Sequence, residues 1–354
     1  MKRIQCVGLL LGILLNATLS RAQSLVVDLP RQSQHAVIEQ RIGVTDITIN
    51  YHRPLANGRK VFGGLEPYGK PWRAGANENT TITVTDPVSI EGKPLDRGVY
   101  GLHMIPAEGD WTIIFSKAAT SWGSFTYDQA EDALRVTVKT QPSEFHEALT
   151  YDFDDLKPDS AVVTMRWDKI AVPFKVSVNV NEAVEQSLKK QFRGLVQYAW
   201  DGWNDAATWL VDNKVDLEQA VKYADKSIAV EERYDNVMTK SRALDLLGRK
   251  EEAAKFRTEA LEKANAIQSY GYARQLQRDK KLDESYAAYR ANAKKFPNDW
   301  ITHFGLARVY SAQGDYDNAI KETKAAMIGA PDDGTKPFLE AQVKKLESKQ
   351  DINN

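Results

Sequence analysis

Three arginines recur in step with one another: Arg242, Arg274 and Arg308, spaced by 32 and 34 residues, each eleven residues before a small residue, Ala253, Ser285 or Ala319. Four residues before them, one helical turn back, stand Met238, Tyr270 and Phe304. A column of guanidinium groups beside an apolar and aromatic column suits an extended peptide with a carboxylate or acidic side chain, because arginine grips carboxylate in a bidentate fork. The plainer alternative is that each arginine stacks on the side chain one turn back, or pairs with a neighbouring acid, and contributes little. At the matching place ahead of Ala220 the sequence has Trp209 instead.

A second concentration of chemistry lies between Tyr51 and Asn79, a stretch with little alternation that brings Arg53, Arg59 and Arg73 together with Tyr51, Tyr68, Trp72, Asn77 and Glu78. Aromatic faces stack on sugars and other planar groups, and arginine and asparagine supply directed donors, so a small or carbohydrate ligand is chemically sensible. Here too a structural alternative stands: the arginines cap loop carbonyls, Trp72 fills the edge of the core and Asn77 makes a turn. His103 falls on an expected strand, and Glu78 or Glu147 could partner it or His146 in acid and base work. That leaves open a hydrolase acting on a sugar or ester from within this loop. No catalytic residue is assigned. The five histidines have no zinc-ligand spacing, no Gly-rich phosphate loop precedes a helix, and no serine elbow is present. Neither a metal nor a cofactor is expected.

The elements that must position these residues change period near residue 180. From Gln34 to Val180 apolar and polar residues mostly alternate, as in Ile47, Ile49 and Tyr51 or Val172, Phe174, Val176 and Val178, and turn pairs such as Asn57-Gly58 break the runs. About ten short strands and no convincing helix predict an all-β sandwich or jelly-roll-like domain. Beyond it, Ala220, Ala253, Ser285 and Ala319 lie 33, 32 and 34 residues apart in otherwise amphipathic helical segments, the mark of stacked helical units. In the last unit Leu306, Ala307, Tyr310, Gly314, Ala319, Ala326 and Pro331 follow the spacing of large and small residues that resembles the tetratricopeptide repeat. That resemblance implies paired antiparallel helices whose first members line a concave, protein-binding face.

The strand-rich half carries a resemblance of its own. The Tyr51–Asn79 stretch, with GVYGLHMIP from Gly98, DWTIIFSK from Asp110, SWGSFTYD from Ser121, ALRVTVK from Ala133 and VPFKV from Val172, closely resembles the secreted bacterial family called domain of unknown function 2911. His52 stands where that family usually has serine. The family brings no established activity, so the resemblance implies a fold boundary and no catalytic residue.

Composition sets the compartment and the partners. Lys2 and Arg3 precede a short apolar run from Val7 to Leu15 and the small-residue pattern Ser20-Arg21-Ala22, which predicts a signal peptide over residues 1–22 and an exported, periplasmic or extracellular protein. Cys6 is the only cysteine and leaves with that segment, closing disulfide and thiolate chemistry. With 47 Lys+Arg against 48 Asp+Glu, nothing invites phosphate backbones, and no later segment is apolar enough to enter a membrane. The expected plan is a signal peptide (1–22), a β-sandwich-like domain (23–180), helical repeats (181–335) and a capping helix and tail (336–354). The expected role is an exported binding or scaffold protein of the periplasm or cell envelope, with a protein or peptide partner on the repeats and a small-molecule or glycan ligand on the β domain.

Overall fold

In β2 (Thr45–Arg53) the side chains of Thr45, Ile47, Ile49 and Tyr51 are fully buried while Asp46, Thr48 and Asn50 point away, the two-residue period of a strand with one face in a core. It pairs antiparallel with β1 (Gln34–Ile42), and the connecting Gly43 sits at φ 62°, where a side chain would be strained and its Cβ would come within 2.9 Å of Val180. The computed structural model describes residues 29–331 and 334–353, so the expected signal segment 1–22 lies outside the described residues.

The remaining strands are β3 (Thr81–Val84), β4 (Val88–Ile90), β5 (Lys93–Leu95), β6 (Gly98–Ile105), β7 (Trp111–Ser116), β8 (Asp132–Val138), β9 (Gln141–Lys157) and β10 (Ser160–Val178). They form two antiparallel sheets, a six-stranded one in the order β1-β2-β3-β6-β7-β8 and a four-stranded one in the order β5-β4-β10-β9. One apolar core joins them. Phe115 of the first sheet meets Phe174 of the second edge to face at 5.9 Å between ring centroids. The final hairpin departs from the expectation of short strands, because β9 and β10 run for 17 and 19 residues. Bulges explain why the pattern hid this: the register shifts on both sides of Asp168, which takes φ 54°, so the alternation breaks without the strand ending.

The long stretch after Tyr51 is not an open loop. Val61, Phe62, Trp72 and Ala74 are buried in the core, Trp72 stacks on Trp167 at 5.7 Å, and Phe62 meets Trp111 edge to face at 4.7 Å. Single bridges tie Leu55 to Ala148 and Trp72 to Met104.

The chain divides into two compact units after Ala183. Ten α-helices follow β10 among the described residues: α1 (Val180–Gln191), α2 (Trp200–Asn213), α3 (Leu217–Val230), α4 (Tyr234–Leu246), α5 (Lys250–Lys263), α6 (Ala266–Arg278), α7 (Leu282–Lys295), α8 (Trp300–Ala312), α9 (Tyr316–Gly329) and α10 (Thr335–Glu347). No helix among the described residues is long and apolar enough to cross a membrane. From α2 onward they pack as pairs: α2 with α3, α4 with α5, α6 with α7, α8 with α9. The turn inside each pair passes through a left-handed residue at the same place, Lys214, Gly248, Lys280 and Gly314, with φ of 56°, 79°, 61° and 74°, and the first turn adds a second, Asp216, at 35°. Ala220, Ala253, Ser285 and Ala319 are all fully buried where the paired backbones approach. Ser285 Oγ uses the close approach to donate to the Ala273 carbonyl at 2.8 Å, as Ser241 Oγ does to the Ala253 carbonyl at 2.7 Å.

The apolar core of this unit is not continuous. One buried cluster spans α2 to α5, and separate clusters hold α6 to α10. Polar bonds cross between them: Lys295 Nζ donates to the carbonyls of Leu261, Glu262 and Ala264 at 3.0, 2.8 and 3.1 Å, and the Tyr234 hydroxyl reaches the Gln268 carbonyl at 3.5 Å.

Candidate functional site

In the β unit the arginine and aromatic residues mostly serve their own backbone. Tyr51 is fully buried, its hydroxyl accepting from Arg53 Nε at 3.2 Å and from the Tyr151 amide at 3.1 Å. Arg59 donates to the carbonyls of Ala56 and Leu55 at 3.0 and 2.6 Å, and the Trp72 indole donates to the Gly75 carbonyl at 3.1 Å. Asn77, left-handed at φ 60°, reaches the Ser33 carbonyl, and Glu78 pairs with Arg31 at 2.7 Å and faces His52 at 3.5 Å. Tyr68 is exposed, its ring lying against Gly63.

The nine candidate residues of this unit therefore do not converge. Arg53, Asn77 and His103 are absent from the walls of the nearest cleft, which has a volume of about 230 Å³ and is lined by Arg59, Arg73, Glu66, Asn57 and Ala76 among others. Glu66 was missed in the sequence. Burial pushes its carboxyl up to about 7 even though Arg73 and Arg59 pull it down. Nothing in a lone glutamate between glycine and proline residues announces such a place. The buried Nε of Arg73 in the same cleft has no hydrogen-bond partner.

His103 is 2% exposed, its Nδ1 bonded to Ser124 Oγ at 2.8 Å and its ring 5.4 Å from Tyr127. Burial lowers its pKa to about 4, against the pull of Asp132, which is itself engaged by Tyr127 and Arg135. The ring is neutral and shut away from solvent, so it holds the Ser124 loop in place. The expected partnership with Glu78 does not form, since Glu78 bonds Arg31 and His52. Among the described residues no group of three or more His, Cys, Asp or Glu side chains is placed to hold a metal ion.

In the helical unit the three arginines share a register and have different surroundings. Arg242 on α4 is half exposed and ion-paired with Asp212 of α2. With Met238 it lines a cavity of about 650 Å³ bounded also by Tyr234, Tyr272, Arg257 and Arg278. This is the open part of the predicted face. Arg274 on α6 donates to Gln277 Oε1 at 2.5 Å instead of facing outward unpaired. Arg308 on α8 is only 7% exposed. Its Nε donates to the Tyr270 hydroxyl at 2.9 Å, its guanidinium carbon stands 4.9 Å over the Phe304 ring, and its Nη1 donates to the Ile352 carbonyl at 2.9 Å.

So the arginine and aromatic columns are real, with Tyr270 and Phe304 stacked at 6.3 Å, but they are not one open groove. The expectation that Arg308, Tyr270 and Phe304 line open space is corrected. Residues 351–353 and α10 cover them, with Phe338 edge to face on Phe304 at 5.6 Å. Sequence reading missed Ser311 and Gln277 as partners, although Ser311 sits three residues after Arg308 and Gln277 three after Arg274, on the same faces.

Comparison with known proteins finds one family model and several solved structures similar to this chain. Residues 33–176 match the profile of a family described as a protein of unknown function (DUF2911), as the strand motifs indicate. The chain matches no curated protein. Solved structures similar to it include the APC/C hetero-tetramer Cut9–Hcn1, at 14% identity and a TM-score of 0.31 over 48% of this chain and 34% of that one, and YrrB, a TPR protein with an unusual peptide-binding site, at 14% identity and a TM-score of 0.27 over 49% and 88%. MamA from AMB-1 is similar at 18% identity and a TM-score of 0.26 over 42% of this chain and 85% of that one. The chain spans about a third of the length of the Cut9–Hcn1 chain it matches.

Proposed function

We propose that this chain, a strand-rich unit of the DUF2911 type followed by tetratricopeptide-like helix pairs, is an exported binding protein of the bacterial cell envelope whose helical array holds an extended segment of a partner protein. The observation that carries this is the cavity beside Met238 and Arg242. It is large enough for several side chains, and it combines an aliphatic thioether, two tyrosines and three arginines with the acids Asp212, Asp245 and Asp279 at its margin. An adaptable apolar floor with fork-shaped donors above it suits a peptide carrying an acidic group. Export rests on the charged, short apolar and small-residue pattern of residues 1–22.

The β unit adds a smaller, polar cleft where Arg59, Arg73 and Glu66 meet, of a kind that fits an anionic or glycan group. A hydrolase acting on a sugar or ester from within the Tyr51–Asn79 loop is less favoured, because Tyr51, Arg53, Arg59 and Trp72 are engaged by their own loop and core and the His103 ring is buried.

The test is capture of partners from an envelope extract with the chain lacking residues 1–22, beside the double variant Met238→Asp, Arg242→Glu. The reading expects one or a few enriched partners to fall by about ten-fold with the variant, equivalent to losing one good contact pair. Equal enrichment by both overturns it.

A further inference from the structure

The arginine column predicts a peptide-binding face, and on α6 and α8 a peptide segment is already there: the chain's own residues Asp351, Ile352 and Asn353. Its main chain is gripped at both ends of one residue. Arg308 Nη1 donates to the Ile352 carbonyl at 2.9 Å, and the Ile352 amide donates to Ser311 Oγ at 3.0 Å. Ile352 itself is 3% exposed, packed into the cluster formed by Phe304, Ala307, Leu339 and Leu346.

The flanking side chains are read as well. Ser311 Oγ donates to Asp351 Oδ1 at 2.7 Å, and Asn353 Nδ2 donates to the Arg308 carbonyl at 2.9 Å while its Oδ1 accepts from Gln277 Nε2 at 2.7 Å. Arg274 holds Gln277 from behind at 2.5 Å. Two of the three column arginines thus act on one three-residue segment, one directly and one through a glutamine.

We infer that the α6–α8 face is a second peptide site of the array, specific for an Asp-aliphatic-Asn turn closed by the aspartate accepting from the asparagine amide, and that residues 351–353 are its intramolecular occupant, displaced when a partner presents the same three side chains. It rests on the reading of the array as a peptide holder and names the chemistry that one face of it selects. Recognition runs through one carbonyl and one amide of the ligand, one apolar pocket and one amide-reading pocket. The central residue must therefore be aliphatic, and the following one must both donate and accept. Asparagine does so and aspartate does not.

The intramolecular occupant is present at an effective concentration of about millimolar, so a peptide added in trans competes at a disadvantage of about ten- to a hundred-fold. That disadvantage is the measurable quantity. A fluorescein-labelled peptide with the sequence of residues 346–353 is titrated by anisotropy against the chain lacking residues 1–22 and against its Ile352→Asp variant, whose tail no longer fits the pocket. The variant is expected to bind the peptide about ten-fold or more tighter than the parent chain. Adding Gln277→Ala and Ser311→Ala to it is expected to weaken binding about ten-fold, and a peptide with Asp in place of Ile is expected not to bind.

If Ile352→Asp lowers the helical circular dichroism signal, the milder Asn353→Ala is used in its place. No gain in binding by a folded variant overturns the inference. So does a gain accompanied by dimers in sedimentation of the parent chain, which would make a second copy the occupant. Loss of binding with Arg242→Glu but not with Gln277→Ala and Ser311→Ala overturns this inference and leaves the Met238–Arg242 reading standing.

Discussion

Arg242 and Arg308 occupy the same place in two helical units, yet one stands half exposed beside a cavity and the other is buried under residues that come from the far end of the sequence. The repeat fixes which way a side chain points from its helix. It does not fix what lies opposite. Arg242 faces an acid across the α2–α4 seam in a solvated pair that contributes little. Arg308 has lost its water and has gained a tyrosine hydroxyl, an aromatic face and a main-chain carbonyl in exchange.

The largest consequence of that difference is in stability. Arg308→Ala leaves a buried carbonyl and a tyrosine hydroxyl short of a partner and is expected to cost about 2–4 kcal/mol in urea unfolding followed at 222 nm. Arg242→Ala is expected to change the same measurement by less than about 0.5 kcal/mol. Equal losses would break the contrast.

The same distinction between sealed and solvated polar groups extends to the β unit. His103 is held near pKa 4 by burial, below the ordinary value of 6.5. Its neutral form is the folded one, so its stability contribution is complete above pH 6.5 and is lost as pH falls toward 4, where the unfolded chain takes up a proton that the folded chain refuses. About 2–3 kcal/mol should disappear across that interval, and His103→Gln should flatten the acid side of a chemical-denaturation series against pH. An unchanged acid slope would mean the ring is solvated in solution.

A smaller effect sharpens the comparison between units. Two of the four intrapair turns place lysine where the other two place glycine, at φ 56° and 61°. Lys280→Gly is expected to stabilise the helical unit by about 0.5–1 kcal/mol, since a β-carbon in the left-handed region is strained. Gly248→Ala is expected to do the opposite, and differential scanning calorimetry reads both.

Much of this was legible in the residues. The 32- to 34-residue spacing of Ala220, Ala253, Ser285 and Ala319 placed the close approaches, because only small side chains let two helices meet there. The Ile47, Ile49, Tyr51 alternation placed a core strand. What escaped depended on contacts between distant positions. The Asp168 bulges hid one long hairpin behind broken alternation, and the loop after Tyr51 turned inward because its Phe62 and Trp72 had two sheets to fill. Four of the candidate ligand residues there, Tyr51, Arg53, Arg59 and Trp72, were spent on their own loop and core. A composition argument cannot see that a donor is already engaged. Nor did the arginine column reveal that a tail more than forty residues downstream would cover part of it.

The interruption of the apolar core between α5 and α6 has a mechanical consequence. A stack of helices transmits strain through its weakest junction, and here that junction is carried by lysine and tyrosine bonds to carbonyls and a glutamine bond to a carboxylate, groups that water can replace at little cost. Under pulling force or mild denaturant the array would therefore yield first at that seam, releasing two sub-stacks that each keep their own oily centre, and a bound partner straddling it would act as a splint.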